Sequence, residues 1–175
     1  MYQSIIQEYS DLILKQSQLE AEIHSLPKGY VSKKKIAGHS YYYLQQRVHQ
    51  KLNGNYIPMN RVEEIVRQIK LRSEYEAELK SITEYLKKIE KTAARLDKGL
   101  LSYLRFVELS AGMDNLSVQQ KGKSVSFADT MNAIEGVPAN QDTKKDLQLW
   151  VNGQKAYLDV CRDVLQKYGV QLGDE

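Results

Sequence analysis

The chain has 175 residues, 42 % apolar and 27 % charged, the balance of a soluble protein, with room for one domain or two small ones. No apolar run approaches the roughly 18 residues of a membrane span, and Met1-Tyr2-Gln3-Ser4-Ile5-Ile6 has neither the basic start nor the apolar block of a signal peptide. A cytoplasmic protein without membrane contact is expected. The net charge of +3 is uneven: residues 1–110 carry 18 basic and 13 acidic side chains, residues 111–175 seven and nine. Between Glu22 and Glu63 there is no acid at all, only Lys28, Lys33, Lys34, Lys35, Arg47, Lys51 and Arg61, a local field suited to an anionic partner.

Catalysis finds no support in the residues. There is no glycine-rich phosphate loop, no Gly-x-Ser-x-Gly elbow and no carboxylate pair placed for acid–base work. His24, His39 and His49 lie in the basic stretch with no nucleophile or acidic orienter beside them. One cysteine, Cys161, on the apolar side of a helix, reads as a small core residue, and with three histidines far from it no metal site of known spacing exists. We expect no enzyme, cofactor or small-molecule substrate.

In chain order, Ile5, Leu12, Leu19 and Leu26 recur every seven residues, with Tyr2, Tyr9 and Ile23 on companion positions and Gln16 as a polar interruption. The spacing predicts a helix from Tyr2 to Leu26 with a narrow coiled-coil seam, ended by Pro27 and Gly29. From Tyr30 to Ile57 the period becomes two. Tyr30–Ile36 and His39–Gln50 read as strands joined at Ala37-Gly38, with Asn53-Gly54 as a second turn leading into Tyr56-Ile57. Tyr41, Tyr43 and Arg47 point to one face, Tyr42 and Leu44 to the other. This block resembles an uncharacterised bacterial and phage domain in which a hairpin is flanked by two helices; the likeness implies architecture and no chemistry.

Asn60 and Glu63 have capping-box spacing after Pro58. Val62, Ile65, Ile69, Leu79, Ile82, Leu86, Ile89, Ala93, Leu96, Leu100, Tyr103 and Val107 keep three–four spacing if Arg72 and Glu76 are polar members. They predict one helix of roughly 45 residues, about 70 Å long. The first helix can cover only part of that length, so the long helix must bend back near Gly99 or its exposed seam must pair with a second copy of the chain or another protein. Residues 111–123 hold either period poorly and read as a linker.

Ser126 to Gly136 reads as a short helix with Ser126 as N-cap, Asp129 near its start, and Phe127, Met131, Ile134 and, more weakly, Thr130 on one face. Gly136 supplies a left-handed stop and Pro138 forbids continuation. Glu135 then stands at the negative end of the helix dipole, which disfavours it by about 0.3–1 kcal/mol. Two more helices follow, Asp142–Val151 and one ending Leu165-Gln166-Lys167-Tyr168-Gly169-Val170, separated by Asn152-Gly153. Leu147, Trp150 and Val151 are core candidates in the first of them, and Tyr157, Leu158, Cys161, Val164, Leu165 and Tyr168 in the second.

Met131-Asn132-Ala133-Ile134-Glu135-Gly136 with these two helices resembles the VbhA-type antitoxins of Fic toxins, small three-helix proteins whose first helix ends in Ser/Thr-x-x-x-Glu-Gly/Asn. The resemblance spans residues 126–170. It implies that Glu135 pairs with the arginine that holds the ATP γ-phosphate in a Fic toxin, stopping AMP transfer, with Gly136, Asn132, Met131 and Ile134 around it. Met131 stands in the Ser/Thr position; the nearest hydroxyl, Thr130, is one residue early and about 100° round the helix.

The sequence thus predicts a mainly α fold with a small antiparallel β-hairpin or sheet. A helix/hairpin/coiled-coil module occupies 1–110, a linker 111–123 and a three-helix antitoxin-like module 124–175. A Fic-domain toxin is the first expected partner. DNA is the second, through Lys33, Lys34, Lys35, Tyr41, Tyr43, Arg47 and Lys51, since basic side chains beside stackable rings suit phosphates and bases; the plainer alternative is that the tyrosines pack the sheet and the lysines keep its edge soluble.

Overall fold

Ten elements follow one another along residues 2–167 and 169, the part of the chain that this computed structural model describes. They are helix α1 (Gln3–Ser25), strands β1 (Tyr30–Ile36), β2 (His39–Val48) and β3 (Lys51–Ile57), a 3-10 turn (Met59–Arg61), and helices α2 (Val62–Leu96), α3 (Lys98–Asp114), α4 (Val118–Ile134), α5 (Gln141–Val151) and α6 (Tyr157–Lys167). The fold is mainly α with a small antiparallel sheet. It divides into two units, residues 15–86 and the two flanking stretches, 1–14 with 87 onward. None of the described helices is long and apolar enough to cross a membrane.

In the first unit the strands form a meander in the order β1-β2-β3. Gly29 leads into it with φ +125°, and a Cβ there would lie 2.1 Å from the Gln45 carbonyl oxygen, so only glycine fits. Both turns are two-residue and left-handed: Ala37 and Gly38 at φ 50° and 83°, His49 and Gln50 at φ 46° and 65°. The expected Asn53-Gly54 turn is therefore corrected. Those residues lie inside β3, opposite Gln46 and Gln45. Register decides the matter, because the observed pairing sets the buried Ile57 opposite Tyr42, on the face that also carries half-buried Leu44 and Val31. A turn at Asn53-Gly54 would instead set Ile57 opposite Gln50, losing that burial.

The polar residues that interrupt the helical seams have partners in the same unit. Gln16 donates to Thr83 Oγ1 at 3.4 Å. Arg72 donates through Nη1 to the carbonyls of Ile23 and Leu26 at 2.6 and 2.7 Å, satisfying the open end of α1, while its Nε meets Glu76 at 2.8 Å. Lys15 pairs with Glu78. The seam of α1 here faces α2 of the same chain, with Leu19, Ile23, Ile82 and Leu86 buried. Asn60-Glu63 does not start α2; the 3-10 turn does, with no side-chain cap.

In the second unit Tyr9 is fully buried and its hydroxyl donates to Glu90 at 3.0 Å. Burial, and then Glu90, raise its pKa well above a phenol's ordinary value, so it stays a donor. The single 45-residue helix expected from Val62 onward is in fact two. Asp97 is extended, φ −159°, and accepts from Gly99 N at 2.6 Å, so it caps a new helix and leaves Leu96 exposed. Leu104, absent from the periodic set, is fully buried beside Leu100, Tyr103 and Val107.

The expected linker, 111–123, is largely helical. Helix α3 runs to Asp114, and Ser117 caps α4 eight residues before Val125, accepting from Gln120 N while Gln120 Oε1 accepts from Ser117 N. This Ser-x-x-Gln box was legible, but Gly112 and Gly122 obscured it; each glycine costs a helix about 1 kcal/mol, less than the packing around them supplies. Ser126 is consequently mid-helix, its carbonyl accepting from Thr130 Oγ1. Trp150, Val151 and Val160 form the core of this region, with Met113, Val125, Leu147 and Tyr157 packed on it. Val160, not foreseen, is its third member; Tyr168 and Val170 lie outside the described residues. Cys161 is half-buried, and burial raises its thiol pKa despite a hydrogen bond with Tyr157.

Two outcomes follow. Gly29→Ala must distort the junction with β2 and will lower unfolding free energy by about 2–4 kcal/mol in urea titrations followed by circular dichroism. Cys161, held protonated, will react with Ellman's reagent at pH 8 at least about tenfold more slowly in the folded protein than after unfolding.

Candidate functional site

Helix α4 has two unlike sides, and the difference begins with what holds it down. Lys121, only 7 % exposed, lies with Nζ 5.4 Å from the centre of the Trp150 ring. Val125, one turn on, packs on the same cluster. Asp129 continues this side and meets Lys144 of α5 at 3.7 Å. Trp150 is itself fixed: its Nε1 donates to Asp114 Oδ1 at 2.8 Å, and the same oxygen accepts from Tyr157 N at 2.9 Å at the start of α6. Tyr157 closes the other side of the indole with its ring centre 4.9 Å away.

Relative to Val125, Ile134 lies about 180°, Phe127 about 200° and Met131 about 240° round the helix. The residues expected on one apolar face do share a face, and it points away from the protein. Phe127 is 69 %, Ile134 74 % and Met131 40 % exposed, and Val137 just beyond is 69 % exposed. An open groove of about 720 Å³ runs along the adjoining flank of α4, lined by Gly122, Val125, Asp129, Thr130 and Ala133, and of the four exposed apolar residues only Ile134 borders it. Phe127, Met131, Ile134 and Val137 thus form an apolar ridge that the described residues leave uncovered.

The helix ends as its sequence required. Gly136 takes φ +75°, its N–H donates to Ala133 O at 3.2 Å, and Val137 N donates to Asn132 O at 2.8 Å. Glu135 is the C-cap residue, exposed at the tip of α4 with the ridge beside it. Asn132 is half-buried; Glu135, Gly136, Met131 and Ile134 are exposed together. Lys155 binds Asp146 and Asp163 and fastens α5 to α6, lowering the Asp146 pKa by its hydrogen bond.

The second group of predicted residues divides between the two faces of the sheet. Strand pairing sets Tyr30, Ser32, Lys34, Tyr41, Tyr43, Gln45, Arg47, Gly54 and Tyr56 on one face, and Lys33, Lys35, Tyr42, Leu44, Lys51 and Ile57 on the other. Tyr41, Tyr43 and Arg47 are together as expected. Lys33, Lys35 and Lys51 are not with them. The first face gains Tyr56, whose ring centre is 6.3 Å from that of Tyr41 and 5.9 Å from that of Tyr43, and Lys34 Nζ stands 5.1 Å over Tyr43. Tyr56 was missed because the displaced turn hid its register. Among the described residues no cluster of His, Cys, Asp or Glu could hold a metal ion.

Residues 9–67, a third of the chain, match the model of a family described as a domain of unknown function, DUF6788; the match takes in the latter part of α1, the sheet and the first residues of α2. No curated protein and no solved structure matches the chain.

Replacing Asp114 with Ala leaves the Trp150 and Tyr157 N–H groups without their acceptor. It should destabilise the second unit by about 2–4 kcal/mol and shift Trp150 fluorescence to the red, read in parallel denaturation curves.

Proposed function

We propose that the chain is the antitoxin of a Fic-domain toxin: α4 docks its apolar ridge on the toxin and inserts Glu135 where the ATP γ-phosphate would bind. The observation that carries this reading is an exposed carboxylate at the tip of a helix whose adjoining apolar face the described residues leave open. A free helix end disfavours that charge, whereas an arginine in a water-poor cleft would hold it by a charge-assisted, bidentate pair. The sequence likeness over residues 126–170 supplies the kind of arginine. With the γ-phosphate site filled, ATP cannot orient its α-phosphorus for attack by the target hydroxyl, so AMP transfer stops.

The roles divide between affinity and inhibition. Phe127, Ile134 and Val137 would bury apolar surface and set affinity; Glu135 would block the nucleotide. Thr130 donates its hydroxyl proton within the helix to Ser126 O, so toward a partner it would serve as an acceptor only.

The test pairs this protein with the Fic-domain protein of the same genome whose loop reads His-x-Phe-x-Asp/Glu-Gly-Asn-Gly-Arg. Glu135→Gln and Glu135→Gly should leave the complex intact on size exclusion yet raise AMP transfer from labelled ATP by roughly tenfold or more. Phe127→Ser with Ile134→Ser should instead weaken association. Full silencing by the Glu135 variants would refute the assigned mechanism, and absence of any complex would refute the antitoxin reading.

A further inference from the structure

We propose that the open face of the β1–β3 sheet binds single-stranded nucleic acid, with Tyr41, Tyr43 and Tyr56 as the stacking platform and Lys34 and Arg47 as phosphate contacts. Tyrosines on a sheet normally fill a core, and on the opposite face Tyr42 does lie opposite the buried Ile57. No residue of the open face is buried; Tyr41 and Tyr43 are half-buried beside the exposed Tyr56. Tyr56 is 57 % exposed, and Tyr30, on the same face, is 54 % exposed with its hydroxyl donating to Gln45 Oε1 at 2.6 Å.

Chemistry selects the ligand. Five basic side chains, Lys33, Lys34, Lys35, Arg47 and Lys51, stand on the strands, and no carboxylate occurs between Glu22 and Glu63. An uncompensated positive field attracts a polyanion, while exposed rings add base stacking that tolerates any sequence. Lys34 beside the Tyr43 ring brings both to one point. Gly54, paired with Gln45, leaves β3 without a side chain beside Tyr56 on this face. A duplex fits less well: its major groove admits a helix or a two-stranded ribbon, and here the face is three strands wide. Unpaired bases can be splayed onto such a face, where exposed aromatics on a sheet stack two or three of them.

The face shares no residue with α4, so this inference stands apart from the antitoxin reading. Binding of fluorescein-labelled oligothymidylate and oligouridylate of about 15 nucleotides, and of a duplex of equal length, is measured by anisotropy with the full chain. We expect single strands to bind more tightly than the duplex, with affinity falling steeply between about 50 and 200 mM salt. Tyr43→Leu with Tyr56→Leu should weaken binding by about tenfold or more. Lys34→Ala with Arg47→Ala should reduce the salt slope by about two, and Lys33→Ala with Lys35→Ala, on the other face, should do so less. If the double leucine variant is unfolded by circular dichroism, Tyr56→Leu alone, at an exposed ring, gives the reading. Duplex preference, equal loss from lysines on either face, tyrosine variants that bind like the parent, or no binding at low salt would each overturn the proposal. None of these substitutions should alter inhibition through Glu135.

Discussion

The Trp150 indole, with a lysine on its face and a carboxylate at its edge, is the contact on which the C-terminal helices depend. Lys121 comes from α4, Asp114 from α3, Trp150 from α5, and the second bond of Asp114 goes to the first residue of α6. A cation over an indole gains strength as water is excluded, and one carboxylate oxygen satisfying two donors fixes their geometry. Since this contact and Val125 claim one side of α4, the opposite side is committed to solvent. Phe127, Met131 and Ile134 are outward for that reason, and Glu135 ends the helix in line with them.

The molecule therefore carries two surfaces of opposite character. One is an apolar ridge ending in an acid, built on α4; the other is a basic, tyrosine-bearing sheet face built on β1–β3. They lie in different units and differ in make-up: exposed hydrocarbon with one acid at its end in the first, basic side chains beside tyrosine rings in the second. Because neither set of residues appears in the other, substitutions can separate them.

Much of this was legible in the amino-acid order, and the failures have specific causes. Heptad spacing located α1, and the Pro27 and Gly29 stop, the Ala37-Gly38 turn and the Gly136 stop all followed from local chemistry. Local chemistry also misled. Asn53-Gly54 is a strong turn signal, yet register overrode it, and His49-Gln50 accepts left-handed backbone at about 1–2 kcal/mol per residue. Asp97 broke a helix whose apolar spacing continued across it, because periodicity records which face is apolar and not whether the backbone is continuous. For the candidate sites, the identity of the α4 apolar face was readable, but its direction was not. That direction depends on Lys121, a charged residue that no hydrophobic pattern would place inside.

Residues 2–14 belong with residues from 87 onward, so the unit from 15 to 86 is enclosed in sequence by the other. During synthesis the first turns of α1 must wait for more than half the chain to leave the ribosome before Tyr9 can meet Glu90. Bringing those residues together across an open chain would be entropically slow, but the enclosed unit shortens the gap, since Gln16 and Thr83 are already joined within it. In synthesis the whole enclosed unit, with the basic sheet, leaves the ribosome before Glu135 does.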